Sequence, residues 1–585
     1  MTHPVEASLA KPAPGLPPGR PFRSLVQLLD DRQEEPPRLA FVYLERGDSP
    51  AAQLTIAELT QRARRIAAHL QARASPGDRV LLVLPHRLEF IEAFLGCLFA
   101  GVIAVPAAPP ATRRATESWT AVARATRPSV VLTRERSRPL VEGLLQEIGP
   151  GRLECLENLL AGAAPAWHAP ELRPDTVAYL QFTSGSTGAP KGVVVTHGNL
   201  LHNCGLLAAA VDLPAGARMV SWLPFFHDWG LVGCVVFPLF LAMPCYLLDP
   251  ADFAYAPARW LHAITRFRAT ISCAPNFAYE ACAMAVGEDE KRSLELGCWK
   301  VAMIGAEPVR RETLGRFTDS FAGCGFRPEA FYPTYGLAEA TLLVSGGERT
   351  RRPLYLAVDR RALEGRRVVV VPEQDPAARV LVGCGRPAGD QRVRVVDEET
   401  RRGCAPGEVG EVWVSGGSVA GGYWEQLEET QRTFGATLAD EDGGPYLRTG
   451  DLGFLWDGEL FLCGRSKDVI IKAGNNYFAE DVEHSAAGSH SSLRPGCGAA
   501  FAVDAAGAER LVIVHELEFG KKVDEKVIGS MQKRVFDDVG VLADAIVLLR
   551  PGSLPKTTSG KIRRQRTRAL FLRDELEVLA TWRCW

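Results

Sequence analysis

Short, uninterrupted apolar runs alternate with helical stretches along much of this chain, and that rhythm restricts it to few architectures. Val80–Pro85 (VLLVLP) is a continuous apolar run of the kind that both faces of a buried parallel strand require. Phe90–Ala100 follows with apolar residues at helical spacing, and Gly101–Val105 reads as the next strand. The pattern returns at Val130–Thr133, Met219–Leu223, Pro244–Leu248 and Ala269–Ala274. Strand, helix and strand in this order predict an α/β fold with a parallel sheet. No short-period repeat is present, which excludes a solenoid.

The character changes near residue 385. Arg392–Val396 and Glu411–Val414 are short strands between Gly/Pro turns and predict a small β-barrel-like subdomain over about 385–467. Beyond Gly464–Asp468, strands at Leu511–Glu516 and Ala545–Leu549 mix with amphipathic helices in a compact α+β domain. The expected organisation is a loose, Pro-rich arm at 1–20, a large α/β domain at 21–467 and a small domain at 468–585. A length of 585 residues has room for this.

Composition removes several function classes. Lys plus Arg number 67 against 69 Asp plus Glu, a net charge of -2, where a nucleic-acid binder would show a basic excess. No apolar run approaches the ~20 residues of a membrane span. The N-terminus is polar and Pro-rich without the apolar centre of a signal peptide, so the expected compartment is the cytoplasm. The 14 cysteines include no CxxC pair, which predicts reduced core residues rather than a structural zinc site.

The strongest local signal is Thr183-Ser184-Gly185-Ser186-Thr187-Gly188-Ala189-Pro190-Lys191-Gly192, behind the largely apolar Val177–Phe182. Glycines, hydroxyls and a lysine can surround phosphate oxygens with N–H groups, O–H groups and a positive charge. A Walker A loop needs Gly-Lys-Ser/Thr, whereas here Pro190 precedes Lys191 and Gly192 follows it. A plain linker has similar composition. The preceding strand, Lys191 and the VVVTHGNL segment behind it favour phosphate binding.

Four more segments follow in order: Tyr335-Gly336-Leu337-Ala338-Glu339, Thr449-Gly450-Asp451, Gly464-Arg465-Ser466-Lys467-Asp468 and Pro555–Lys561 (PKTTSGK). With these five motifs the chain resembles the adenylate-forming superfamily of acyl-CoA synthetases, luciferases and peptide-synthetase adenylation domains. The resemblance implies that Thr183–Lys191 hold the β- and γ-phosphates of ATP. It implies that Tyr335 stacks on adenine beside Gly336, with Gly305, Ala306 and Glu307 lining the purine pocket. Glu339 would ligate Mg²⁺, Asp451 would accept the ribose hydroxyls and Arg465 would help fix ribose and phosphate. An isolated lysine is ordinarily a solvated surface charge. In this motif Lys561 would reach the α-phosphate from the C-terminal domain, turning on a hinge at Lys467.

YGLAEATL, PNFAYE at 275–280, GSVAGGYW at 417–424, YLRTGDLG at 446–453 and the GNNY…EDVE segment at 474–483 are similar to the fatty acyl-AMP ligase branch. Two departures stand out: Ala338 where many superfamily members carry Thr, with Thr341 beyond Glu339, and Phe478 where the branch tends to have Pro. The second bears on how the C-terminal domain docks. The 46 positions from Glu339 to Gly385 include a family insertion at about 350–382, which in that branch is thought to brace the large domain and limit the rotation needed for coenzyme A chemistry. A tolerated surface loop is the plainer alternative.

The implied activity is ATP-dependent conversion of a fatty acid to acyl-AMP, then acyl transfer to the phosphopantetheine thiol of an acyl carrier protein. A full acyl-CoA synthetase and a non-catalytic adenylate-binding or carrier-docking protein are the alternatives. His227, in His227-Asp228-Trp229, is either a gate near the substrate carboxylate or a structural histidine bonded to Asp228 or backbone. Trp229, Asn276 and Phe277 are acyl-pocket candidates. Lys556–Arg573 carries seven basic residues and no acidic one, either a solvated helix face or a docking surface for an acidic carrier through Arg563, Arg564 and Arg568. It has no interleaved aromatic platform for nucleic acid.

Overall fold

The computed structural model describes residues 22–585 apart from 33–35, 111, 149–150, 184–189, 442, 506–507 and 558–559. The apolar runs do become strands, and they divide between two sheets. Arg152–Cys155, Val130–Thr133, Arg79–Leu82, Ile103–Pro106, Val177–Thr183 and Lys191–Thr196 form a six-stranded sheet in that order. Its pairs are parallel except the last, where Val177–Thr183 turns back against Lys191–Thr196.

A nine-stranded sheet carries the rest of the α/β body. Its parallel run passes from Phe331–Gly336 through Val301–Gly305, Ile271–Pro275, Met219–Ser221 and Cys245–Leu247 to Leu39–Glu45. Antiparallel strands close both edges. Helices Ile56–Gln71 and Leu88–Ala100 pack on one another, and Leu88–Ala100 is apolar nearly all round because it lies in the core. Thr55 starts Ile56–Gln71 with a reciprocal side-chain and backbone cap to Glu58.

The β-rich section is a four-stranded antiparallel sheet, Arg392–Val396, Gly410–Ser415, Leu447–Trp456 and Glu459–Arg465. The segment expected to be an insertion is folded. Tyr355–Asp359 pairs with Ala378–Val382, helix Arg360–Glu364 lies between them in sequence, and Leu356, Val358, Leu363 and Leu381 pack on Leu452, Phe454 and Phe461. After Lys467, a separate mixed sheet of Leu493–Ala505, Ala508–Leu517, Ala545–Leu549 and Val578–Arg583 is covered by helices Ala479–Ala487 and Glu525–Val539 around its own apolar core. All the cysteines are free, and Cys584 alone is exposed. Among the described residues no helix is long and apolar enough to cross a membrane.

Candidate adenylate-forming site

Four parallel strands, neighbours in the large sheet, end side by side on one side of it. Phe331–Gly336 leads to Glu339, Val301–Gly305 to Ala306 and Glu307, Ile271–Pro275 to Asn276 and Phe277, and Met219–Ser221 to His227 and Asp228. The C-terminal ends of parallel strands are where open α/β sheets bind ligands. Backbone approaches closely there: a Cβ on Gly305 would lie 2.5 Å from the Thr334 carbonyl oxygen, and one on Gly336 only 1.8 Å from that of Leu342. Ala306 follows at φ 62°, a conformation costly for a residue with a Cβ.

Asp451 and Arg465 arrive from the antiparallel sheet as cross-strand partners. Arg465 Nε donates to Asp451 Oδ1 at 3.0 Å, and Tyr335 Oη donates to Oδ2 at 2.7 Å. The turn beneath is held by buried Glu411, which accepts from the Gly450 N–H at 3.0 Å, Arg448 Nε at 2.8 Å and Trp413 Nε1 at 2.8 Å. Burial and the adjacent Asp451 charge push the Tyr335 phenol far above its ordinary range, so it stays a donor. A carboxylate has about four lone-pair positions, which leaves Asp451 acceptor capacity for further hydroxyls.

Glu339 accepts from Tyr423 Oη at 2.9 Å, and burial raises its carboxyl above the ordinary value. An anion desolvated in this way suits a divalent cation, which would restore the lost solvation. Lys191 Nζ lies 4.8 Å from the Tyr423 ring centre and is hydrogen-bonded to Glu429. Ser184, Gly185, Ser186, Thr187 and Gly188 lie outside the described residues, between Thr183 and Lys191. Thr341 does not replace the missing Thr at 338. Its hydroxyl is buried and donates to the Ser418 carbonyl at 2.7 Å.

Lys561 stands on a tight turn in which the Thr557 N–H donates to the Lys561 carbonyl at 2.6 Å and the Lys561 N–H to Thr557 Oγ1 at 2.9 Å. The turn brings the ammonium within the fields of Asp228, Glu307 and Asp451, with Arg465 as the neighbouring cation. Desolvation of the ammonium lowers its pKa against the pull of Asp228, although the residue as a whole is exposed. Burial likewise raises Glu307, which accepts the Phe277 N–H at 2.6 Å.

His227 is bonded to its neighbour, with Nδ1 2.6 Å from Asp228 Oδ1. Burial pushes the Asp228 carboxyl up, but His227, with Lys561 and the Trp229 N–H, outweighs it and leaves the group below its usual value. Trp229, 5% exposed, opens a π-helical stretch to Val236, a rare form frequent at functional sites. Phe277 is 46% exposed and joins Trp222 and Phe253 in an aromatic wall, ring centres 6.2 and 6.4 Å away. Asn276 is a loop brace. Its amide N–H donates to Thr313 Oγ1 at 3.1 Å, and its carbonyl oxygen accepts the Arg310 N–H at 3.0 Å.

The basic run at Lys556–Arg573 is not a uniform docking face, which corrects that expectation. Arg564 is turned inward onto Asp468 at 2.6 Å and Glu483 at 2.6 Å, its side chain 14% exposed. Arg568 Nε donates to the Ala502 carbonyl at 2.9 Å and Lys556 Nζ to that of Gly496 at 3.0 Å. Lys467 lies in the single turn Ser466–Asp468, beside this network. The structure also adds residues to which the motifs gave no role: Glu411, Tyr423 and Glu429. GGYW was among the branch segments, so Tyr423 was within reach of sequence; Glu429 was not, being 238 positions from Lys191.

The family model for AMP-binding enzymes matches residues 29–424. The chain belongs to the AMP-binding enzyme family. A second model, the AMP domain of Disco-interacting protein 2-like proteins, matches residues 467–581. Among AMP-binding enzymes, the medium-chain-fatty-acid–acyl-carrier-protein ligase JamA of Moorena producens is 42% identical, over 95% of this chain and 96% of its own. The long-chain-fatty-acid–AMP ligase FadD23 of Mycobacterium tuberculosis is 35% identical over 93% and 95%. A solved fatty acyl-adenylate ligase from L. pneumophila, in complex with acyl adenylate and pyrophosphate, is 37% identical with a TM-score of 0.74, over 96% of this chain and 98% of its own. These relatives put this AMP-binding enzyme in the fatty acyl-AMP ligase branch.

Proposed function

We propose that this AMP-binding enzyme joins a fatty-acid carboxylate to AMP and passes the acyl group to the phosphopantetheine thiol of an acyl carrier protein. One carboxylate oxygen bonds to the α-phosphorus of ATP as the bond to the β-phosphate bridging oxygen breaks, releasing pyrophosphate. The carrier thiol then attacks the acyl carbonyl and AMP leaves. The observation that carries this reading is the cluster in which Arg465 and Tyr335 hold the two oxygens of Asp451 at 3.0 and 2.7 Å beside the strand that leads to Glu339, with the Lys561 charge acting on Asp451, Asp228 and Glu307.

Positioning and charge do the chemistry. Lys561 neutralises negative charge building on the α-phosphate and the departing pyrophosphate. Asp451, held by Tyr335 and Arg465, takes the ribose hydroxyls, and the Gly305–Glu307 turn with Tyr335 and Gly336 borders the purine. Thr183, Lys191 and the loop between them hold the outer phosphates. Glu339 would hold Mg²⁺, which would supply positive charge against the phosphate groups. Trp229 and Phe277 border the acyl chain, and His227 orients Asp228. We place the enzyme in the cytoplasm, a reading supported by its free cysteines, since reducing compartments are where thiols stay unpaired.

Mass spectrometry of products from MgATP and a panel of fatty acids, with and without coenzyme A and a holo carrier protein, tests this. The expected result is acyl-AMP that persists with coenzyme A and disappears into acylated carrier. Efficient acyl-CoA formation would overturn the carrier assignment, and no acyl-AMP with any acid would overturn the function.

A further inference from the structure

Lys191 has a carboxylate partner of its own within the fold. It opens the strand Lys191–Thr196, and its Nζ is hydrogen-bonded to Glu429 Oε1 on helix Leu427–Phe434. The two side chains are 13% and 20% exposed, so the pair is well shielded from solvent. Below the ammonium lies the Tyr423 ring, whose hydroxyl holds Glu339. Tyr423 is tied to the same helix, since its N–H donates to Thr430 Oγ1 at 2.9 Å. Arg432 takes the second Glu429 oxygen, and the charge of Lys467 also acts on this carboxylate.

A carboxylate oxygen and a phosphate oxygen make the same demand on an ammonium group: a short, charge-assisted acceptor. Glu429 therefore occupies in Lys191's donor shell a place that a polyphosphate oxygen would take. We infer that Glu429 is a positioning residue that competes with the polyphosphate for Lys191. It keeps the ammonium over Tyr423 in the free enzyme, yields it to the outer phosphates of ATP, and reclaims it as pyrophosphate leaves. This rests on the function proposed above. Arg432 and Lys467 keep the released carboxylate from being left without a cation.

The test is Glu429→Gln, which keeps size and an acceptor oxygen but removes the charge. A charge-assisted hydrogen bond is worth about tenfold in an equilibrium constant. The Kd for MgATP and the Kd and inhibition constant for pyrophosphate should therefore each fall by about tenfold, with KM for the fatty acid unchanged. In a Lys191→Ala background the same substitution should change none of these, since the competition is for that ammonium. Glu429→Asp, which keeps the charge, should stay close to the parent and serves if the glutamine variant misfolds. Unchanged or weaker pyrophosphate affinity in Glu429→Gln, or an equal gain without Lys191, would overturn the inference. A parent that binds MgATP but forms no acyl-AMP would instead overturn the function and leave the affinities to decide the role of Glu429.

Discussion

Lys561, Asp451 and Tyr335 each do work that is set by a few neighbouring atoms. The charge of Lys561 acts on Asp228, Glu307 and Asp451, so Lys561→Ala removes charge where the α-phosphate would react. Acyl-AMP formation should fall by about 10²- to 10³-fold, the usual effect of deleting one transition-state contact. Its turn is held by backbone and Thr557, so thermal unfolding should hardly change. Single-turnover kinetics beside calorimetry check both. Tyr335→Phe deletes the phenol that donates to Asp451 at 2.7 Å. The lost hydrogen bond, worth about 1 kcal/mol, should weaken ATP binding by about fivefold, read by titration calorimetry.

At the scale of elements, the turn Ser466–Asp468 and helices Ala479–Ala487 and Arg564–Leu572 are joined through one guanidinium. Arg564 bonds Asp468 and both oxygens of Glu483, with Glu480 3.6 Å away. Removing one partner from a buried ion network costs about 3–5 kcal/mol, because the remaining charges are left uncompensated. Arg564→Ala should therefore expose the segment after residue 468 to hydrogen exchange before the α/β body opens. Equal protection in parent and variant would contradict that. Arg564→Lys should recover little, since a single ammonium cannot reproduce the fork to Glu483.

At the scale of the molecule, the folded segment 355–382 bridges the large body and the C-terminal segment. Arg379 reaches Asp481 at 2.9 Å and lies 4.6 Å from the Phe478 ring centre, while Asn476 donates to the Glu364 carbonyl at 3.2 Å. Phe478 is buried with Leu356, Val358, Leu363 and Leu381 of that segment, which gives a physical place to a residue that departs from the branch pattern. Glu364 sits in this interface, and desolvation, opposed by Arg360 and aided by Asp481, lifts its pKa from 4.5 to about 7. Its folded pKa is raised, so the folded state binds the extra proton, and stability present below pH 4.5 is lost as pH climbs through about 7. Glu364→Gln should remove that slope and leave the variant the more stable one above pH 7. Denaturant midpoints measured across this range check the sign.

The strands, and the candidate segments Tyr335–Glu339 and Thr449–Asp451 that the fold brings near one another, were legible in the sequence, because local periodicity and short motifs are written in consecutive residues. Val130–Thr133, Arg392–Val396 and Ala545–Leu549 are strands with the bounds that the sequence suggests. The division of one strand–helix rhythm between two sheets was not legible, since strands such as Arg79–Leu82 and Met219–Ser221 have the same apolar character and differ only in their partners. Nor was the inward turn of Arg564, which in sequence is one more basic residue in a basic run. The sequence alone supplied the candidate residues for the chemistry. Only the tertiary structure decided that Glu429 meets Lys191, that Tyr423 meets Glu339 and that Arg379 meets Asp481, because those pairings depend on which elements pack together and not on spacing along the chain.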